Sequence, residues 1–168
     1  MSEVPDDVQV KLNRIPLMHV NAGPRDKTNW PNRLKEEYTS LIQFIQSNQE
    51  SGDDWFTIES NDLGTKWNGT CSYVHEHLTY EFKFQFEIPV SYPVTPFDIE
   101  IPELEGKTVK MYHGGKICLT DHFKPVWAKN QPRYGIGHAL ALGLSPWLAT
   151  EIPFLIEHKV ITHSSLKR

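Results

Sequence analysis

Cysteine is scarce: Cys71 and Cys118 are the only two in 168 residues. That is too few for a disulfide framework or for the paired CxxC ligands of a structural zinc site. No run of about 18 apolar residues is evident, so no transmembrane helix is expected. Positive charge is not in excess either. Lys and Arg total 17 against 21 Asp and Glu, for a net charge of −4, which argues against nucleic acid or anionic membrane as the main partner. The start, Met1-Ser2-Glu3-Val4-Pro5-Asp6-Asp7, lacks the basic-then-apolar order of a signal peptide. The expected location is therefore the cytoplasm, with the nucleus as a second compartment. The histidines are scattered, and the closest pair, His75 and His77, flanks Glu76 in an expected turn. A catalytic zinc needs three protein ligands, so no metal is expected. Repeats and low-complexity segments are missing as well.

What is there is ordinary globular material, 39% hydrophobic and 23% charged. A chain of this length suits one domain that removes roughly 70% of its unfolded surface from water. In the first twenty-five residues, Val4, Val8 and Leu12 fit helix spacing, while Val8, Val10 and Leu12 fit a strand equally well. Pro5 suits the opening of a short helix, and Pro16 and Pro24 bracket an extended connection. Leu34, Tyr38, Leu41 and Ile45 then predict an amphipathic helix with that buried stripe. Asp26 or Thr28 is the expected cap, and Pro31 belongs in the first turn.

Strands follow. Trp55 to Ser60 is short and aromatic, and Lys66 to Tyr73 comes next. In the latter Trp67, Gly69, Cys71 and Tyr73 share a face, which makes Cys71 a structural residue. From Leu78 to Ile88 every even position is apolar and every odd one polar, as in an antiparallel strand with one wet face. Phe97, Ile99 and Ile101 repeat that pattern in a shorter strand. Between them Pro89, Pro93 and Pro96 stiffen a connection that cannot join a ladder. From Pro102 to about Arg133 the expectation is a long irregular stretch, of the kind that is usually functional. The last element is expected from about Gly137 to Ile161, a helix broken or kinked at Pro146 and Pro153, with Ser145 as the candidate N-cap of a restart.

Inside the long loop lies Lys110-Met111-Tyr112-His113-Gly114-Gly115-Lys116-Ile117-Cys118-Leu119-Thr120-Asp121-His122. A cysteine just past a Gly-Gly turn, with lysines on both sides of the turn, is not placed like a core residue. Cationic surroundings favour thiolate, the reactive form. Cys118 is the expected nucleophile.

The order helix, antiparallel meander, proline-rich turn, ordered loop with one cysteine, helix resembles the ubiquitin-conjugating enzyme family. Tyr92-Pro93 with Pro96, Gly115-Lys116-Ile117-Cys118-Leu119 and Trp127 carry the likeness. One element departs. The family carries His-Pro-Asn ending eight positions before the cysteine, its asparagine thought to stabilise the oxyanion, and here Thr108-Val109-Lys110 stands in its place. That triplet resembles the branch that conjugates the ubiquitin-fold modifier. Further blocks agree: Asn21-Ala22-Gly23-Pro24-Arg25-Asp26, Leu34-Lys35-Glu36-Glu37-Tyr38, Lys110 to Pro125, and Ala141-Leu142-Gly143-Leu144 through Pro146-Trp147-Leu148-Ala149 to Glu151-Ile152-Pro153.

The resemblance implies an α+β fold: an antiparallel meander of about four strands packed on an N-terminal and a C-terminal helix, without extra C-terminal helices. It divides the chain into an N-terminal extension at residues 1–25 and a catalytic domain at 26–168. The modifier reaches the thiol of Cys118 as a thioester from its activating enzyme and passes, with a ligase complex, to target-protein lysines. The thioester exchange is nearly balanced and needs access and alignment, whereas aminolysis needs its oxyanion stabilised. Lys110 is the candidate for that help, or for favouring the thiolate; the other reading is a solvated loop lysine. Thr108 is a candidate for shaping the loop, and Asp121 or His122 for base or orienter. No cofactor is expected, nor nucleic acid, nor membrane insertion, and the chain is expected to act as a monomer. The first helix, at Arg33 and Lys35, and the N-terminal segment are the expected activating-enzyme surface. Two other classes stand beside this one: a non-catalytic adaptor of the same fold, and a cysteine hydrolase pairing Cys118 with a histidine.

Overall fold

Pro5 opens the first helix of the computed structural model, which describes residues 4–163. Met1-Ser2-Glu3 and the tail from residue 164 lie outside the described residues. The chain divides into two interleaved units. One holds the chain up to Asp54, with Ile88–Phe97 and Leu119–Leu144. The other holds Trp55–Glu87, Asp98–Cys118 and the chain from Ser145.

In the first unit, α1 (Asp6–Asn13) buries Val8 and Leu12 and exposes Val10, so the helical spacing prevails over the strand one. An extended connection leads to α2 (Trp30–Glu50), whose Pro31 falls in the first turn, where its missing N–H leaves no bond unmade. Its N-cap is Asn29, neither Asp26 nor Thr28. Asp26 closes the preceding turn instead: its carboxylate accepts the Gly23 N–H at 2.8 Å and its carbonyl the Trp30 N–H at 2.7 Å. The buried face of α2 is also rotated from the expected stripe. Leu34, Glu37, Leu41, Phe44 and Asn48 point inward, while Tyr38 is exposed and Ile45 half-buried.

The cause is an ion pair in the core. Arg33 and Glu37 are both fully buried, with Nε to Oε2 at 3.0 Å. The guanidinium donates to the carbonyls of Val20, Pro132 and Tyr134 at 2.8, 2.6 and 2.9 Å. Glu37 accepts from the Tyr92 hydroxyl at 2.5 Å and from the Ile136 N–H at 2.8 Å. Every charge is compensated and hydrogen-bonded, the condition under which burial is tolerated. Arg33 therefore cannot belong to a docking surface, contrary to the expectation from sequence, whereas Lys35 is exposed.

The expected irregular stretch up to Arg133 contains a helix, α3 (Phe123–Asn130). Phe123, Val126 and Trp127 bury one face of it, and Pro125 sits in its first turn. The Trp127 indole donates to the carbonyl of Pro93 at 2.8 Å, tying this helix to the proline-rich turn. A short α4 (Ile136–Ala139) then runs into a π turn at Leu140–Leu144, all of it buried.

In the second unit, β1 (Phe56–Ser60), β2 (Lys66–His75) and β3 (Leu78–Glu87) form an antiparallel meander in that order. The alternation read from sequence sets the faces: Tyr80, Phe82, Phe84 and Phe86 point inward, and Trp67 pairs and stacks with Phe86. The β2–β3 hairpin turns on Glu76 and His77, with φ of 50° and 68°, the handedness that matches strand twist.

The expected fourth strand is reduced to a bridge. Gln85 and Glu100 exchange two main-chain bonds of 2.9 Å, and Glu100 also bridges Lys116. Proline at both ends of Pro96–Pro102 leaves little room for a longer ladder. The loop beyond is ordered as a hairpin of β4 (Met111–Tyr112) and β5 (Lys116–Ile117). β5 is held to the bridge segment by Ile101 N–H to Gly115 O at 2.8 Å and Ile117 N–H to Ile99 O at 2.9 Å.

α5 (Ser145–Glu157) packs against β2 and buries Trp147, Leu148, Glu151, Ile152 and Leu155. The expected restart at Ser145 does not occur, because the π turn carries the helix across Ser145-Pro146. A π turn displaces the hydrogen-bond ladder, so a proline just after it removes a bond already shifted. Ile136–Glu157 is thus one run, long and apolar enough to cross a membrane by length and composition. That measure is an average over the window: His138, Ser145, Thr150 and Glu151 interrupt it, so no unbroken run of 18 apolar residues is present. Of its apolar window 61% is buried inside the protein, as in a core helix. Helices and an antiparallel sheet together make the α+β class that was expected.

Candidate active site

The hairpin register builds the site. Met111 pairs with Ile117 and Tyr112 with Lys116. The Gly114-Gly115 turn permits this, with φ of +87° and +83°. At Gly115 a side chain would also meet Pro102 Cα at 3.0 Å, so close approach to the bridge segment requires glycine there. One rung further, the Cys118 N–H donates to the Lys110 carbonyl at 3.0 Å. By strand alternation Lys110, Tyr112, Lys116 and Cys118 then share one face of the ribbon. Lys110 stands directly opposite Cys118, and Tyr112 diagonally.

That diagonal is a contact: Cys118 Sγ lies 3.6 Å from the Tyr112 hydroxyl. Cys118 is half-buried, and the phenol, 62% exposed, reaches it from the solvent side. The hydrogen bond with Cys118, together with its charge, holds the Tyr112 hydroxyl above the usual phenol range, so it stays protonated. Tyr112 was missed in the sequence reading. The signal lay in the Gly-Gly turn, which sets the register that brings position 112 beside position 118.

α5 secures the other end of the loop. The Trp147 indole donates to the same Lys110 carbonyl at 3.0 Å. The Thr108 hydroxyl donates to Glu151 Oε1 at 2.6 Å and accepts the Lys110 N–H at 3.1 Å. The main chain of Lys110 is thereby held from three sides, and Cys118 is bonded directly to it. Near the hairpin tip Glu105 accepts the Gly114 N–H at 2.7 Å and stands 3.6 Å from the exposed His113 ring.

Of the five residues singled out in the sequence, Thr108, Lys110 and Cys118 come together. Asp121 and His122 belong to the first unit, at the entry to α3. There His122 is the N-cap, and its Nε2 pairs with the Thr120 hydroxyl at 3.1 Å. Cys71, by contrast, is buried in β2, and burial pushes its thiol far up, with Glu103 and Glu81 adding to the shift. A thiol so protonated is inert, which fits a structural role. Among the described residues no group of three His, Cys, Asp or Glu is placed to hold a metal ion.

A half-buried thiol on a braced loop, in contact with a phenol and bonded through its main chain to a lysine, suits acyl carriage by a nucleophile that large partners must reach. Comparison with known proteins gives the same direction. A family model described as "Ubiquitin-fold modifier-conjugating enzyme 1" matches residues 8–162. The Drosophila ananassae protein of that name is 60% identical over 160 residues, covering 95% of this chain and 98% of its own. The Drosophila melanogaster protein is 59% identical with the same coverage. Among solved structures, human ubiquitin-conjugating enzyme E2 G1 is similar at 15% identity and a TM-score of 0.46. That match covers 70% of this chain and 97% of the human one.

Proposed function

The chain belongs to the ubiquitin-fold modifier-conjugating enzyme family, and from that premise we propose that Cys118 is its thioester-forming residue. The thiolate attacks the thioester that links the modifier's C-terminus to the activating enzyme. The new carbon–sulfur bond forms on Cys118 and the activating enzyme's thiolate leaves. With a ligase, a target lysine amine then displaces Cys118 and forms an isopeptide bond. The observation that carries this reading is the bracing of Cys118 through the Lys110 carbonyl, which fixes the nucleophile while leaving it accessible.

Lys110 supplies positive charge across the ribbon from the thiol, where developing negative charge on sulfur or carbonyl oxygen is stabilised. Thr108 acts by holding Lys110, not by touching the reacting atoms. The expected activating-enzyme surface keeps Lys35, which lines a groove with Pro16, Met18 and Thr39 between the N-terminal segment and α2. Reversing its charge, Lys35→Glu, is expected to slow loading and leave later discharge unchanged.

The test is a charging assay with activating enzyme, modifier and ATP on non-reducing gels, with ubiquitin and its own activating enzyme for comparison. A dithiothreitol-sensitive adduct is expected that survives Cys71→Ser and becomes a reductant-stable ester, or is lost, in Cys118→Ser. No adduct from folded protein would favour the adaptor of the same fold. In the same assay Lys110→Ala is expected to slow discharge to free lysine; unchanged loading and discharge would reduce it to a solvated side chain.

A further inference from the structure

Besides the Thr108-Val109-Lys110 triplet, Cys118 has a polar neighbour that contacts its sulfur directly, the Tyr112 hydroxyl. We propose that the Tyr112 hydroxyl is the hydrogen-bond donor to the oxyanion formed when an amine attacks the Cys118 thioester. This rests on the reading of Cys118 as the thioester carrier.

The argument follows the proton of the phenol through the cycle. In the resting protein the S–H of Cys118 donates to the Tyr112 oxygen across 3.6 Å. Once the thiol ionises the direction reverses, and the phenol O–H donates to sulfur, which has become the acceptor. Thioester formation removes the sulfur's charge and leaves it a poor acceptor. The phenol O–H is then released beside the new acyl group, whose carbonyl oxygen sits two bonds from sulfur. A donor about 3 Å from that oxygen that approaches on the side facing sulfur also lies roughly 3–4 Å from sulfur, and the Tyr112 hydroxyl is 3.6 Å from Cys118 Sγ.

The step balances without an added reagent. The neutral amine nitrogen attacks the carbonyl carbon and a carbon–nitrogen bond forms. The carbonyl π pair moves onto oxygen, where Tyr112 donates its hydrogen bond without transferring the proton. Collapse restores the carbonyl, breaks the carbon–sulfur bond and returns the pair to Cys118 as thiolate. The nitrogen's extra proton goes to water. Tyr112 touches the reacting oxygen, whereas Lys110, opposite Cys118 on the ribbon, contributes its charge. The donor stands partly in solvent, so it falls at the weak end for an oxyanion contact.

The experiment is single-turnover discharge of the preformed Cys118 thioester into excess free lysine after ATP is depleted, comparing wild type with Tyr112→Phe. The phenyl ring keeps the packing and removes only the hydroxyl. The expected result is charging to the wild-type endpoint, an unchanged melting temperature, and a discharge rate lowered roughly tenfold or more at saturating lysine, with the half-saturating lysine concentration unchanged. Discharge within twofold of wild type overturns the proposal. So does a loss confined to the half-saturating concentration, which makes Tyr112 a binding contact. Failure of wild type itself to form a reductant-sensitive adduct on Cys118 overturns the thioester reading instead, so the two failures are distinguishable.

Discussion

The Thr108 hydroxyl and Glu151 Oε1 are 2.6 Å apart, joining the loop that leads to Cys118 to helix α5 across 43 positions of sequence. Glu151 is only 6% exposed, and the same hydroxyl receives the Lys110 N–H, so one oxygen links the helix, the loop and, through Lys110, Cys118.

Thr108→Val keeps the shape and removes both bonds, leaving a buried carboxyl oxygen without its partner. The expected cost is about 1–3 kcal/mol of stability, together with slower charging of Cys118. Thr108→Ser, which keeps the hydroxyl, is expected to stay near wild type. Urea unfolding and charging time courses on the two variants check this, and equal behaviour of Val and Ser would remove the bond from the account.

A second prediction concerns acid. The His138 ring is fully buried; its Nδ1 accepts the Gly135 N–H at 3.0 Å, and its Nε2 pairs with the Ile15 carbonyl at 3.2 Å. Protonating Nδ1 would set a hydrogen against that N–H. Burial first, opposed by the Ile15 bond and reinforced by the Arg33 charge, pushes the ring down to about 4. An unfolded histidine titrates near 6.5. Between those values the unfolded chain takes up a proton that the folded one refuses. Stability is therefore complete above about pH 6.5, falls as pH drops through that window, and levels below about 4, losing about 3 kcal/mol in all. Denaturant titrations at a series of pH values check the slope, which His138→Gln is expected to remove.

The ion pair of Arg33 and Glu37 makes a third. Glu37→Leu leaves a guanidinium buried without its counter-charge, and a loss of about 3–5 kcal/mol is expected. Adding Arg33→Met removes the orphaned charge and is expected to recover part of that loss. A double-mutant cycle by thermal or chemical unfolding measures the coupling, and strict additivity would contradict it. Gly135→Ala is expected to be disruptive at the same place, because its methyl would run into the Glu37 carboxylate.

The two thiols differ in a way mass spectrometry can read. Iodoacetamide on native protein at neutral pH is expected to modify Cys118 and spare Cys71, which is 1% exposed and held protonated by burial. In urea both are expected to react. Labelling of Cys71 in the folded protein would contradict its place in the core.

Local chemistry wrote much of this protein openly. The alternation from Leu78 to Ile88 set the faces of β3 because side chains on a strand alternate whatever surrounds them. The Gly-Gly turn and the cysteine beyond it marked the candidate nucleophile, since positive φ and a polar setting are properties of a few adjacent residues. Helix α3 was not read from the sequence: Phe123, Val126 and Trp127 make a short apolar pattern with Pro125 inside it, too brief to stand out from the surrounding loop. Tertiary structure decided the rest. Arg33 and Glu37 have the spacing of an ordinary surface pair; partners from elsewhere in the chain, among them carbonyls some hundred positions away at Pro132 and Tyr134, make their burial tolerable. Nothing adjacent in the sequence marks Glu151 for burial; its partner Thr108 is brought to it by the fold. A sequence states which residues carry charge and hydrogen-bonding groups, but whether such a group is satisfied away from water depends on partners brought from elsewhere by the fold.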